Sequence, residues 1–543
     1  MRSPSYHDFS RVPSVNVPRS AFDLSARYKT TFDSGKLIPC MCPIEILPGD
    51  SINLSIQSFA RLTTPVVPFM DNLVIDYQFF FVPNRLVWEN FQRFMGEKDS
   101  PGDSIDYVVP TVQAPAGGFP VGSIADYFGL PTGVGGIKVN ALPFRALNLI
   151  WNEWYRPEFL ANSKDVEKGD GPDDYTDYSS LLPRYNRLDY FQGALPSPQS
   201  GPSVGLPLNG VAPVRLTNYN NPQPDSPVAF HDNGGQVIPA DGREVVVAHD
   251  IRTPMASYAY QPFRVVTDDG TKELFQDNYL SMFGLYSDLS EASGATINTL
   301  RQAFQIQLFL ERSMLGGERY TEILRSMFGV VSPDARLQRP EFLGQGSLPI
   351  VISTVPQTSS TDQTSPQGNL AAFGLTKGKL PHIRKSFTEH GFVIGLMSCR
   401  APITYQQGID RMWSRKTRFD YYWPVFAHLG EQAVLNKEIY AQGTSADEDV
   451  FGYQERYAEY RYGVSHVTGK LRSTASGTLD YWHLGVKYNS LPQLGDAFAQ
   501  VNVPLARVLA VQNEPQFVYD SLVNCKMYRC MPLYSVPGRI DHF

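Results

Sequence analysis

The densest run of chemistry-bearing side chains is Asp410-Arg411-Met412-Trp413-Ser414-Arg415-Lys416-Thr417-Arg418-Phe419-Asp420-Tyr421-Tyr422-Trp423, which interleaves four basic residues with five aromatics. Cationic groups neutralise phosphates and aromatic faces stack on unpaired bases. Arg411, Trp413, Arg415, Lys416 and Arg418 are therefore candidate contacts to a single-stranded nucleic acid. Arg, Trp and Tyr are also enriched at subunit interfaces, so an interface, or salt bridges internal to the fold, stands beside that reading. The same two readings apply to Arg456 and Arg461 among Tyr453, Tyr457, Tyr460 and Tyr462.

Catalytic chemistry finds no comparable pattern. Gly133-Val134-Gly135-Gly136 and Leu315-Gly316-Gly317-Glu318 lack the Lys-Ser/Thr of a phosphate-binding loop and read as turns. Cys40-x-Cys42 and Cys525-x4-Cys530 have no nearby histidine to complete a zinc site. In a strand-like segment the i and i+2 thiols share a face, and buried structural thiols are expected. Glu389-His390 and Asp541-His542 are adjacent pairs whose side chains diverge in a strand, and His428 and His483 sit among aromatics. No HExxH or GxSxG occurs, so no catalytic residue, cofactor or metal ligand is assigned.

The elements that must position these groups are mainly β. Ser51 to Gln57 alternates polar and apolar residues after the Leu47-Pro48-Gly49-Asp50 turn, and Leu73 to Val82 is a second strand ended by Pro83. Asn84 is placed to cap a helix with Val87, Phe91, Phe94 and Met95 on one face. Further helices are expected from Pro143 to about Leu160, Ser293 to Leu315, and Glu318 to Phe328. Gly391 to Met397, Gly463 to Val467 and Asn524 to Tyr534 have strand composition, and Thr358 to Gly368 is a polar loop. Strands at both ends with helices and excursions between them predict one discontinuous antiparallel domain of jelly-roll type over 31–543.

The flanking segments are less regular. Residues 1–30 carry Arg2, Arg11, Arg19, Arg27 and Lys29 against Asp8 and Asp23, with little aliphatic content, and predict an extended arm. Leu195 to Gly242 is rich in Pro and Gly and poor in charge, which predicts a long projecting excursion.

Bulk composition narrows the function classes. Gly (43) and Pro (42) are abundant, aromatics reach 12% and charged residues only 19% of 543 residues, as in a loop-rich β protein with adhesive surfaces. A net charge of −7 excludes a surface that binds nucleic acid everywhere and restricts such binding to a local patch. Five cysteines imply no disulfide framework. The first residues lack the apolar run of a secretory signal, and no stretch reaches membrane-span length.

Several motifs carry a resemblance. They are Leu47-Pro48-Gly49-Asp50, Pro68-Phe69-Met70-Asp71, Phe79-Phe80-Phe81-Val82-Pro83-Asn84-Arg85, Phe94-Met95-Gly96-Glu97 and Asn140-Ala141-Leu142-Pro143-Phe144-Arg145-Ala146. Gly317-Glu318-Arg319-Tyr320, Phe328-Gly329-Val330, Glu389-His390-Gly391, Tyr405-Gln406-Gln407-Gly408, Leu429-Gly430-Glu431-Gln432 and Phe451-Gly452-Tyr453-Gln454-Glu455-Arg456-Tyr457 follow in order. In this order they make the chain resemble the major capsid proteins of microviruses, in the gokushovirus-type branch of small single-stranded DNA bacteriophages. The resemblance implies a viral eight-stranded jelly roll with long insertion loops and a few helices, and no enzymatic activity. It also implies assembly into a small T=1 icosahedral shell, made in a bacterial cytoplasm, around a circular single-stranded DNA genome. The implied partners are copies of the chain, the DNA, a small basic packaging protein, a scaffolding protein, a minor pilot protein and a host surface receptor. Residues 195–260 are the candidate insertion, expected to gather at threefold axes as a protrusion. A jelly-roll carbohydrate-active protein and a receptor-binding protein are the competing expectations.

Overall fold

A computed structural model describes residues 18–202, 204, 297–317, 319–361 and 366–534, with the backbone of four short strands between 214 and 287. The chain forms two compact units, one from 1–200 with 311–543 and the other Gly201–Leu310. The second unit contains two antiparallel pairs, Val214–Asn218 with Phe283–Ser287 and Val245–Val247 with Val265–Thr267. The expected insertion at 195–260 overlaps this unit. Most of its residues lie outside those described, as do residues 1–17 of the expected arm.

The first unit is built on strands β1 (Ser20–Asp23), β2 (Ala26–Phe32), β3 (Ile38–Pro39), β4 (Ile44–Ile46), β5 (Ser51–Leu62) and β6 (Leu73–Pro83). After the intervening segments come β7 (Glu341–Pro356), β8 (Leu370–Lys379), β9 (Ile383–Ser386), β10 (Gly391–Arg400), β11 (Glu431–Leu435), β12 (Val450–Glu455) and β13 (Phe517–Arg529). Eleven of them join in the order β1-β13-β5-β8-β7-β6-β10-β3, with β2 on β13, β9 on β5 and β4 on β10. In three places two short pieces run end to end along one neighbour: β1 and β2 on β13, β9 and β8 on β5, β3 and β4 on β10. Eleven segments thus occupy eight strand positions, all antiparallel, as a jelly roll requires.

One strand turns the corner. β7 pairs with β6 through Glu341 to Ile350 and with β8 through Val351 to Pro356, so it belongs to both halves of the sandwich. The bend lets the two sheets face each other across a shared core. That core takes Leu54, Ile56 and Leu62 from β5, Ile75, Tyr77 and Phe79 from β6, Val393 and Met397 from β10, and Phe517, Tyr519 and Met527 from β13. In β13 every second residue from Phe517 to Met527 is buried, the period-2 pattern of a sheet with one solvated face.

β6 and β10 break that alternation because both of their faces are covered. Phe80, Val82, Phe392, Ile394 and Leu396 point away from the sandwich into a second core against helix α1 (Leu142–Trp154). The Phe80 ring lies 5.5 Å from Trp154. Double coverage accounts for the unbroken apolar run Leu73 to Val82. Below α1 the Arg145 guanidinium is fully buried and donates to Asp173 Oδ2 (2.8 Å), Val87 O and Gly169 O.

Three local expectations are corrected. Asn84 does not cap a helix: Asn84–Leu86 and Phe91–Phe94 are two separate short turns, and Met95 is exposed. Tertiary bonds hold this segment instead, with Asn84 N–H donating to His390 O (3.0 Å) and Trp88 Nε1 to Asp170 (2.7 Å). Gly463 to Val467 is not a strand, since only one isolated bridge, Tyr405 to His466, forms there. The thiols of Cys40 and Cys42 do not share a face, for β3 ends at Pro39, leaving Cys40 buried and Cys42 exposed.

The other boundaries shift by a few residues. α1 stops at Trp154, short of Leu160, because Pro157 disfavours helical backbone in the residue before it. Helices α2 (Ile297–Gly316) and α3 (Tyr320–Phe328) take the expected places, α3 closing at Gly329 in the left-handed conformation. Glu318 and residues 293–296 lie outside those described. The expected arm does not extend to residue 30 unpaired, because β1 and β2 add to the sheet along β13.

Candidate functional site

The segment Asp410 to Leu429 follows β10 and precedes β11 as a chain of short turns, Arg411–Ser414, Arg418–Asp420 and Pro424–Phe426. Asp420 Oδ2 accepts from the N–H groups of Lys416 (2.8 Å) and Thr417 (2.7 Å), which fixes the middle turn. These bonds hold the Asp420 carboxyl below its ordinary range. Underneath lies a third core of Tyr190, Phe191, Tyr405, Val434, Ile439 and Phe451.

The five candidate residues divide into two groups. Arg411 and Arg415 turn inward. Arg411 Nη1 donates to Ala433 O (2.7 Å) and Glu438 Oε1 (3.1 Å), and Arg415 Nη2 to Glu459 Oε1 (3.3 Å). Glu438 also accepts from Tyr190 OH (2.7 Å), and Glu459 from Gln432 Nε2 (2.6 Å). Burial raises the Glu438 carboxyl even with Arg411 opposing it. Burial works against the Arg411 charge, but Glu438, Tyr190 and Glu459 outweigh it and hold the guanidinium above its ordinary range. Both arginines are thus committed to carboxylates within the fold.

Trp413, Lys416 and Arg418 face solvent. Trp413 is 74% exposed, and the Arg418 guanidinium lies 4.7 Å above the Phe419 ring. Around them Met412, Phe419, Tyr421, Tyr422, Trp423, Val425 and Leu429 are all exposed, Val425 by 84%. The result is an aromatic and aliphatic ledge carrying two outward cations.

The tyrosine-rich segment that follows β12 supports the ledge from one side. Tyr457 adopts φ 64°, a left-handed conformation unfavourable for a bulky residue, and the chain there turns back so that Ala458–Tyr460 lies beside the ledge. Tyr422 packs edge-on against Tyr457 with ring centres 5.0 Å apart. The Arg415 guanidinium sits 4.6 Å over Tyr460 and 5.2 Å from Tyr421. Tyr457 N–H donates to Gln432 Oε1 (3.1 Å). The two sequence segments singled out separately therefore form one surface. Tyr190, Gln432, Glu438 and Glu459, its inner partners, escape sequence reasoning. Arg411 and Glu438 are 27 residues apart and meet only through β11 and the turn after it.

A second charge cluster stands where the chain passes from α2 to α3. Arg319 Nη1 lies 2.8 Å from Glu158 Oε1 and 3.4 Å from Glu322 Oε1, and its Nη2 donates to Asn152 O and Arg156 O. These last bonds satisfy carbonyls at the C-terminal end of α1. Burial, then the neighbouring Glu158 carboxyl, pushes Glu322 up to about 7.

Among the described residues no group of three or more His, Cys, Asp and Glu side chains is placed to hold a metal ion. Burial pushes the Cys40 and Cys399 thiols well above their ordinary range, and Cys525 up to about 11, as inert packed thiols require. His483 is buried and tied by its ring nitrogens to Leu471 O and Gly485 N–H, while His428 is exposed. No helix among the described residues is long and apolar enough to cross a membrane.

Comparison with known proteins gives a consistent answer. The family model described as capsid protein (F protein) matches residues 10–539. The capsid protein VP1 of Bdellovibrio phage phiMH2K is 44% identical, the match covering 99% of this chain and 98% of that protein. The capsid protein VP1 of Chlamydia phage 1 is 43% identical over 98% of this chain and 97% of its own length. That of Spiroplasma virus 4 is 35% identical with the same coverage. A likeness running the length of the jelly roll and the ledge places the chain in the phage capsid protein (F protein) family.

Proposed function

We propose that this chain is the repeating subunit of a small icosahedral shell enclosing a circular single-stranded DNA genome, and that the 410–429 ledge is covered by a neighbouring copy. Its family makes it a structural capsid protein and not an enzyme. The observation that carries the ledge assignment is the contiguous exposure of Met412, Trp413, Phe419, Tyr421, Tyr422, Trp423, Val425 and Leu429. Soluble monomers rarely show an apolar patch of that kind, and Trp and Tyr anchors dominate interface energies.

A second reading of the same surface is favoured by the outward placement of Lys416, Arg418 and Trp413, which leaves a reduced nucleic-acid contact. Arg411 and Arg415 contribute little to it, being paired internally. The 195–260 insertion is assigned to host attachment. The acidic balance of the chain leaves most genome charge to a small basic packaging protein. Scaffolding and pilot proteins complete the set of partners, and the virion is its location.

Electron microscopy of the purified chain, with its scaffold supplied, tests the shell: uniform closed particles are expected, and persistent monomers overturn it. For the ledge, the Trp413→Ala and Val425→Ser double variant should fold normally and fail to close shells. Normal shells from that variant refute the ledge assignment. Lys416→Gln with Arg418→Gln separates the readings, because intact shells with poor packaging point to DNA.

A further inference from the structure

The strand register of the first sheet assembles a second basic surface that no single stretch of sequence displays. On β5 the odd-numbered residues Asn53, Gln57, Phe59 and Arg61 face away from the core, since the even-numbered ones from Ile52 to Leu62 are buried. Register carries that face across the neighbours. Phe59 stands opposite Lys377 on β8 and Asp520 on β13, and Asp520 stands opposite Lys29 on β2. One row along, Gln57 faces Lys379 and Leu522, and Leu522 faces Arg27. At the far end Asn53 faces Arg384 on β9 and Lys526 on β13, with Asp23 beyond.

The resulting face holds Arg27, Lys29, Arg61, Lys377, Lys379, Arg384 and Lys526, seven cations, against the carboxylates Asp23 and Asp520. It does so in a chain whose net charge is −7. Among the described residues none of the seven forms an ion pair, unlike Arg411 and Arg415. Phe59, 45% exposed, lies in the middle of the cations, and Tyr528 is exposed at one end. A groove of about 540 Å³ crosses the four strands here, lined by Arg27, Gln57, Phe59, Lys377 and Lys379. Same-face neighbours along a strand are about 7 Å apart and adjacent strands about 4.8 Å, so the cations form a two-dimensional grid.

We propose that this outward face of the first sheet binds the phosphate backbone of single-stranded nucleic acid. Cations distributed over the solvated face of a sheet neutralise phosphates without reading sequence, and an exposed phenyl ring among them offers a stacking platform for a base. An acidic protein segment would use the cations but has no base to stack on Phe59. The proposal rests on the genome-enclosing reading only for which nucleic acid meets the face.

The test is fluorescence anisotropy of a labelled oligothymidylate with the full-length, unassembled chain, titrated at several salt concentrations. Affinity should fall steeply with salt. Lys377→Gln with Lys379→Gln should flatten the log–log salt slope by about 1.4, at about 0.7 for each single-strand phosphate no longer neutralised. Phe59→Ala should weaken binding roughly tenfold. Lys138→Gln, on the short strand Lys138–Asn140 that precedes α1 and lies outside this sheet, should change neither. All four side chains point outward, so an unchanged melting temperature separates lost binding from lost fold. An unaltered slope in the lysine double variant overturns the proposal, as does an absence of oligonucleotide binding by the parent chain. Displacement of the oligonucleotide by polyglutamate of equal charge at equal concentration also overturns it, assigning the face to an acidic protein. Micrographs of the same preparations read shell formation independently, so a failed shell and a failed binding face remain distinguishable.

Discussion

Two basic regions of this molecule differ in how their charge is arranged. Between Arg411 and Arg418 four cations fall in eight consecutive residues, yet two of them end on Glu438 and Glu459 inside the fold. On the first sheet the cations are scattered from Arg27 to Lys526, yet pairing gathers seven of them on one face with none committed to a carboxylate among the described residues. Charge density along a chain and charge density in space are separate quantities. A field at a surface depends on the second. The dense linear segment is consequently better suited to holding a ledge in place, and the dispersed set to meeting a polyanion.

Substitutions in each region put this difference to the test. The largest effect is expected at Glu459, which neutralises Arg415, approaches Arg411 and accepts from Gln432. Glu459→Ala leaves the largely buried Arg415 without its carboxylate, while Arg411 keeps Glu438, at a cost of about 3 kcal/mol. Hydrogen exchange should show faster exchange of amides across 410–430 with the sandwich strands unchanged, and equal protection in the variant would contradict a structural role for the inward arginines. Next is the ledge itself. Trp413→Ala should weaken subunit association by about 2 kcal/mol, read as a raised protein concentration for shell formation, with the melting temperature unmoved.

A smaller effect separates the two basic regions directly. Lys416→Gln with Arg418→Gln should leave the salt dependence of oligothymidylate binding unchanged, whereas the equivalent pair on β8 flattens it. Equal responses would erase the distinction.

The smallest effect concerns the third charge arrangement, in which Glu158 and Glu322 share Arg319. With the Glu322 carboxyl raised to about 7 in the folded chain, the native state holds a proton that the unfolded chain releases near 4.5. Stability is therefore greatest at acid pH from this group and declines as pH rises from about 4.5 through 7. Glu322→Gln should raise the melting temperature slightly at pH 8 and leave it unchanged at pH 5. A stabilisation of equal size at both values would refute a raised Glu322 carboxyl in the folded chain.

Much of the architecture is legible in the residues themselves. The alternation of Ser51 to Gln57 and the terminal position of the last strand suffice for a discontinuous antiparallel domain. Asn84 shows where local reasoning stops. Its cap potential is outweighed by a tertiary bond to His390 O and the burial of Trp88 and Phe91. The site is legible only in part. Basic and aromatic residues at 410–423 do form a surface, but Glu438 and Glu459, which decide the fate of Arg411 and Arg415, arrive through tertiary pairing. The cations of the first sheet are hidden for the same reason, although Arg27-x-Lys29 and Lys377-x-Lys379 each show the period of two expected on a solvated face.

The position of β13 between β2 and β5 sets a clock on biosynthesis. The two flanking strands leave the ribosome early, but the strand that must lie between them is made some 455 residues after Leu62. At about 5–20 residues per second the half-finished sheet waits roughly 20–90 s with edges open. Throughout that interval Ile52 to Leu62 is a template for any unpaired strand nearby, so nascent chains on one messenger are the first to be at risk of entangling.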